Sequence, residues 1–135
     1  MYKKVINYVD YNGVERKETH YFHLTQAELM KMEMGITGGF TQMVQKLIDA
    51  KDVPQLIAVL EDMIQKSYGA KTPDGKGFSK KKEHLEAFME TPAYSKLFME
   101  LATNTKAASE FVNGIMPDDL PKDGGNLSVV PAPNN

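Results

Sequence analysis

Val5-Ile6-Asn7-Tyr8-Val9-Asp10-Tyr11-Asn12-Gly13-Val14-Glu15-Arg16 is the stretch that separates an α+β reading from an all-helical one. Val5, Ile6, Tyr8, Val9 and Tyr11 favour extended backbone, and Asn12-Gly13 offers the two positive φ angles of a type I′ turn. A return strand is expected from Val14 to about His23. Its charged middle, Glu15-Arg16-Lys17-Glu18, suits a solvent-facing or edge strand. A two-residue loop would set Val9 opposite Arg16 and Ile6 opposite Thr19. Neither face of that pairing is cleanly apolar, so the register stays open. A lone hairpin is marginal in water and must lie on helices or join the sheet of another chain.

Helices are expected to follow. Thr25-Gln26-Ala27-Glu28 is a capping box, and its helix should run to about Met34 and stop at Gly35. Ala27, Met30 and Met34 share one face of it, and Leu29 and Met32 another. A short helix apolar on two sides is sandwiched in a core or lies partly in an interface. After Gly38-Gly39, Phe40, Met43, Val44, Leu47 and Ile48 keep helical spacing. Asp52 with Pro54 just inside starts a third helix, whose Leu56, Ile57, Leu60, Met63 and Ile64 form the strongest apolar face and the expected core centre. It should end at Tyr68-Gly69. Residues 70–78 read as a loop built on Pro73-Asp74-Gly75. Ser79 is the expected cap of a helix with Leu85, Phe88 and Met89 inside. Thr91-Pro92 opens another, with Tyr94, Leu97, Phe98 and Leu101 inward. A last helix near Lys106–Asn113 carries Phe111 and Val112, and Gly114 is its expected stop.

The fold expected is therefore α+β, mainly α. An N-terminal β-hairpin (1–23) precedes a compact body of five to six short helices (25–114) within one domain, 1–116. From Pro117 helical periodicity is lost, and 117–135 reads as a flexible, disordered C-terminal tail with one apolar island, Leu127-Ser128-Val129-Val130.

Composition narrows the function. The chain has 135 residues, enough for one domain with a real core. No apolar run approaches the length of a membrane span. Met1-Tyr2-Lys3-Lys4-Val5-Ile6-Asn7 is broken by polar residues too early for a signal peptide. The absence of cysteine removes disulfides, thiol nucleophiles and cysteine zinc sites together. A net charge of −2 argues against a dedicated nucleic-acid binder. That charge is uneven: residues 1–82 hold 13 basic against 10 acidic side chains, and residues 83–135 hold 3 against 8. Such asymmetry is a hint of a polar partner or of head-to-tail self-contact, although a solvated lysine loop followed by acidic helix faces is the better explanation.

Catalytic candidates are few. His20 and His23, three apart on a strand, would point to opposite faces and could not share a metal. His84 reads as a solvated histidine between Glu83 and Glu86. Glu61-Asp62 and Asp118-Asp119 imply no cleft with a general base. Gly35, Gly38 and Gly39 lack the spacing and the lysine of a phosphate loop. The lysine-rich segment around Lys71, Lys76, Lys80, Lys81 and Lys82 has only Phe78 as an interleaved aromatic. No cofactor and no catalytic residue is expected. The nine methionines are more informative. Methionine is flexible and polarizable and recurs on surfaces that accept varied apolar helices, although as core filler it is equally ordinary. The expected partner-binding residues are Leu29, Met30, Met32, Met34 and Phe40, in the segment Ala27–Phe40.

The order of several segments carries a resemblance. Tyr8-Val9-Asp10-Tyr11-Asn12-Gly13-Val14-Glu15-Arg16 precedes Phe22-His23-Leu24-Thr25-Gln26-Ala27-Glu28-Leu29 and Met32-Glu33-Met34. Lys66-Ser67-Tyr68-Gly69-Ala70-Lys71-Thr72-Pro73-Asp74-Gly75-Lys76 comes next. Thr91-Pro92-Ala93-Tyr94-Ser95-Lys96-Leu97-Phe98-Met99-Glu100-Leu101-Ala102-Thr103 and Ala107-Ala108-Ser109-Glu110-Phe111-Val112-Asn113-Gly114-Ile115 close the series. Over about residues 5–116 the chain resembles the tail assembly chaperones of siphophages and prophages of Gram-positive bacteria, in their short form. The resemblance implies a non-enzymatic protein of the host cytoplasm, absent from the mature virion. Its partners would be the tape measure protein, the tail tube protein, and a longer frameshifted form of itself, with homo-oligomers allowed. It implies no nucleic acid and no membrane. The competing reading is a structural tail or virion component, or a small adaptor that oligomerises through its hairpin.

Overall fold

The computed structural model describes residues 1–31, 45–46 and 49–117. Strands β1 (Tyr2–Val9), β2 (Glu15–Phe22), β3 (Tyr68–Lys71) and β4 (Phe78–Ser79) form one antiparallel sheet in the order β1-β2-β3-β4. Among the described residues five helices accompany it: α1 (Gln26–Lys31), α2 (Val53–Ser67), α3 (Lys82–Met89), α4 (Pro92–Thr103) and α5 (Thr105–Ile115). The molecule is α+β and mainly α, with the hairpin first. Within 38–52, residues 45–46 and 49–50 are helical. The expected contributions of Phe40, Met43, Val44, Leu47 and Ile48 lie outside the described residues, as does the tail from Asp118 onward.

The first hairpin forms, but with a different turn. Asp10, not Asn12, decides it. Its carboxylate accepts from the amides of Asn12 and Val14 at 2.9 Å each and from Arg16 Nε at 2.8 Å. Gly13 N–H donates to the Asp10 carbonyl at 2.9 Å, and only Gly13 has positive φ, +79°. This is a type I turn followed by a left-handed glycine, a three-residue loop rather than a type I′ turn. Val9 therefore faces Glu15, and Ile6 faces Glu18. The one-residue difference changes which β2 side chains share a face with Ile6. Ile6, Tyr8 and Phe22 are buried together, and Thr19 is exposed. With a two-residue loop Thr19 would be Ile6's partner.

A second hairpin occupies what reads as helix end and loop. The α2 backbone passes straight into extended conformation at Tyr68, whose N–H still reaches the Ile64 carbonyl. Buried Ser67 donates to the Met63 carbonyl at 2.6 Å, and its own carbonyl accepts from His23 N–H at 2.8 Å. Tyr68 then pairs with Phe22 and Gly69 with Tyr21. A Cβ on Gly69 would stand 2.7 Å from the Ser79 carbonyl oxygen, so β4 approaches closely because the residue is glycine.

Local signals place the helices. Glu28 N–H donates to Thr25 Oγ1 at 3.1 Å, and the Glu28 carboxylate accepts from Thr25 N–H at 2.8 Å, a complete capping box. Asp52 caps α2 by accepting from Gln55 N–H at 3.3 Å. Leu56, Leu60, Met63 and Ile64 of its inner face are buried. Three expectations need correction. Ser79 belongs to β4, and α3 starts after Lys81 with no side-chain cap. Only Phe88 of α3 is buried; Leu85 is half-buried and Met89 exposed. Gly114 lies inside α5 rather than after it, because a Cβ there would sit 2.5 Å from Tyr2 Cδ1.

The core centres on Phe22. Its ring meets those of Tyr2, Tyr68, Phe88 and Phe111 at centroid distances of 5.4–6.2 Å. These edge-on and tilted contacts join the end of β2 to β1, β3, α3 and α5.

Candidate partner-binding surfaces

The helix α1 is fixed from beneath and open above. Leu29 is 3% exposed and belongs to the core, whereas Met30 is 77% exposed and Ala27 is also exposed. Lys80 Nζ contacts Glu28 at 2.8 Å and the Lys66 carbonyl at 2.9 Å, which ties α1 to the end of α2. Burial pushes the Glu28 carboxyl up, but the hydrogen bonds from Lys80 and Thr25 outweigh it and leave its pKa lowered. Of the five expected partner-binding residues, Leu29 thus serves the core and Met30 faces outward. Met32, Met34 and Phe40 lie outside the described residues.

A second surface runs along β1. Asp10 N–H pairs back to the Val14 carbonyl, so alternation turns the main-chain groups of Val5, Asn7 and Val9 away from β2. Among the described residues no strand pairs with that edge. The Asn7 carbonyl instead accepts from Lys96 Nζ of α4 at 2.7 Å. Between β1 and α4 lies a depression of about 270 Å³ lined by Lys4, Val5, Asn7, Lys96 and Glu100, among others. It meets a second one at Asn7 and Lys96 that continues past Val9 and Lys17. Val5 and Val9 are 43% and 53% exposed. This edge escapes the sequence reading because it needs the correct register and the knowledge that β3 covers the other side of β2. The signal available was Val5 and Val9 on the same side of an alternating strand.

The histidines and lysines take structural positions. His20 packs on the Phe88 and Tyr68 rings, and its Nδ1 lies 3.0 Å from the Tyr68 hydroxyl. Burial lowers its pKa, against the opposing pull of Glu18. The same surroundings push Tyr68 up to about 12, first through burial and then through Glu18. His23 stacks edge-on against Phe78. His84, expected in solvent, is half-buried with Nε2 at 3.1 Å from Ser79 Oγ. Lys71 sits over the Tyr21 ring at 4.4 Å. Among the described residues there is no group of three metal-ligating side chains, and no helix is long and apolar enough to cross a membrane.

An α+β fold with Met30 held outward on an anchored helix and, among the described residues, an unpaired strand edge offers surfaces to other proteins. The model of the phage tail assembly chaperone family matches residues 1–126, and the chain belongs to that family. No curated protein and no solved structure matches it.

Proposed function

We propose that this tail assembly chaperone binds the helical tape measure protein and assists polymerisation of the tail tube around it. In this reading it acts in the host cytoplasm as the short form, for a siphophage or prophage of a Gram-positive bacterium, and leaves the finished particle. Tail tube subunits and a longer frameshifted form of itself are its further partners. The observation that carries the reading is Met30, 77% exposed on a helix whose Leu29 is buried at 3%. A thioether held outward on an anchored helix offers apolar contact that adapts to varied side chains of a helical client. The segment Ala27–Phe40 is the proposed contact, with Met30, Met32, Met34 and Phe40 facing the client and Leu29 holding the helix down.

The test is the double change Met30→Gln with Met32→Gln, assayed by co-purification with tagged tape measure protein. Capture should fall while the unfolding midpoint stays within a few degrees. A midpoint lowered by 10 °C or so, as about 2 kcal/mol would give in a domain this size, makes the segment core and ends the proposal. The second reading, a tail component or adaptor that joins subunits through its hairpin, is favoured by the open edge of β1. Mass spectrometry of purified particles separates the two, since a chaperone is absent from them and a component is present at fixed stoichiometry.

A further inference from the structure

The sheet ends on two unlike edges. β4 offers two residues, Phe78 and Ser79, whereas β1 offers eight with no proline or glycine among them. The register of β1 with β2 is unbroken from Tyr2 to Val9. Such an edge is a template for another strand, and folded proteins guard it with lysine, a bulge or a cover. Here the guard comes from a helix. Lys96 of α4 donates to the Asn7 carbonyl at 2.7 Å, in the place that the N–H of an incoming strand would take. The outward amides of Val5, Asn7 and Val9 have no strand partner among the described residues.

The charge around that carbonyl selects what can replace the ammonium. Lys17 is the cross-strand partner of Asn7, and Lys17 and Lys96 both line the depression that continues past Val9. Lys4 is neutralised by Glu100 at 2.9 Å and Arg16 by Asp10 at 2.8 Å. Among the described residues Lys17 and Lys96 form no ion pair, and Glu15 is the one carboxylate lining that depression to offset them. A strand that takes the Asn7 carbonyl releases the Lys96 ammonium, and a carboxylate on that strand can then hold it. A second copy of β1 brings no such group, since Tyr2–Val9 has two lysines and no acid. An extended segment rich in acidic residues does.

We propose that the edge of β1 adds an extended acidic segment of another protein as a fifth strand, with Lys96 passing from the Asn7 carbonyl to a carboxylate of that segment. Main-chain hydrogen bonds to Val5, Asn7 and Val9 supply the affinity, and Lys17 and Lys96 supply the choice. Lys96 is then both guard and reader. A neutral strand must displace its bond to the carbonyl with nothing to offer in return, whereas an acidic strand gives the ammonium a new partner. The site is built on different elements from α1, takes extended chain rather than a helix, and does not depend on the tape measure reading.

The experiment is amide hydrogen exchange by NMR on the full chain, with and without an excess of a synthetic peptide of alternating glutamate and valine as long as β1. With the peptide the amides of Val5, Asn7 and Val9 should exchange about tenfold more slowly, while the inward amides of Ile6 and Tyr8 keep their rates. The same peptide with lysine in place of glutamate should protect none of them. Lys96→Glu, a change at an exposed side chain, should lose the protection that the glutamate peptide gives. No protection by the glutamate peptide makes Lys96 a guard alone and overturns the proposal. Equal protection by the lysine peptide, or full protection kept in Lys96→Glu, overturns it by removing the choice of charge. An equal effect from a glutamate peptide with N-methylated alternate amides overturns it as well, because attraction is then not strand addition. Protection in the free protein that rises with its concentration makes the occupant a second copy and also overturns it. The assay contains no tape measure sequence, so failure here leaves the α1 reading standing.

Discussion

The two hairpins of the sheet are built around the same turn chemistry and differ in almost everything else. In the first, Asp10 accepts from the amides of Asn12 and Val14, and Gly13 takes φ +79°. In the second, Asp74 accepts from Lys76 N–H at 3.0 Å and Thr72 Oγ1 at 2.7 Å, and Gly75 takes φ +76°. Yet β1 and β2 have eight residues each, and β3 and β4 have four and two. The turn starts a hairpin; what the strands lie against decides whether it survives. β1–β2 rests on α4 and α5 through Ile6, Tyr8 and Tyr2, whereas β3–β4 depends on β2, α2 and the Tyr68 ring stacked on Phe88 at 4.3 Å.

Phe22 is where that dependence is greatest, since it ends β2, pairs with Tyr68 and fills the centre of the aromatic cluster. Phe22→Ala should cost about 3–5 kcal/mol, measured by urea unfolding. It should also detach the second hairpin before the first, visible as earlier loss of the Ala70 and Ser79 amide signals than of those in β1. Simultaneous loss would mean the hairpins form one cooperative unit.

Gly69→Ala strikes the second hairpin alone. The added methyl meets the Ser79 carbonyl oxygen and the Phe78 ring, both at 2.7 Å, so β4 must move. A cost of about 1–3 kcal/mol is expected, in the range of overpacked sites. The β1–β2 cross-strand NOEs should persist, and their disappearance would refute the independence of the pairs.

These contacts also explain what the sequence shows and what it hides. The capping box at Thr25–Glu28 and the Asp52 cap are local, and both appear where the residues place them. The inner face of α2 is legible because its period repeats over four turns. Tyr68–Lys71 and Phe78–Ser79 are too short for any period, and their pairing depends on β2, far away in the chain. Gly114 looks like a helix stop because its reason, the Tyr2 ring, comes from the opposite end of the sequence. The register is open from sequence, and the type I′ turn that Asn12-Gly13 suggests gives way because a preceding aspartate that binds two loop amides favours the three-residue turn. Of the proposed client surface, the helix start at Thr25 is legible, and the sequence does not say which of Leu29 and Met30 faces the core; Met32, Met34 and Phe40 lie outside the described residues.

The turns themselves provide a finer comparison. Gly13→Ala and Gly75→Ala meet no atoms within 4 Å, so only the positive φ is strained. Each should cost about 1–2 kcal/mol by denaturant melts. The first should be felt in full, because eight paired residues hold Gly13 in place. The second should be smaller, because the short β3–β4 turn can relax. A larger cost at Gly75 would reverse the order of rigidity drawn here.

The smallest effect expected is a difference in acid response between the two aspartates. Both carboxyls are held below the ordinary carboxylate value. Asp10 is lowered first by the Val14 amide and then by Arg16, and Asp74 first by the Lys76 amide and then by the Thr72 hydroxyl. A carboxylate with a depressed native pKa stabilises the fold above its unfolded value of about 3.9, and that contribution is lost as pH falls through the lower native value. Both turns should therefore loosen only below about pH 4. They part company in salt. Asp10 owes part of its shift to a charged partner on the surface, which ions screen, whereas Asp74 relies on neutral donors whose dipoles fall off over a shorter range. NMR titration of the two carboxyl carbons should show the Asp10 midpoint rising between low and high salt while that of Asp74 stays nearly fixed. Arg16→Gln should raise the Asp10 midpoint at low salt and remove most of its salt dependence, since the backbone donors remain. Equal salt shifts at both aspartates would show that the Arg16 pair contributes nothing, leaving the two turns chemically alike and their difference entirely a matter of the strands they join.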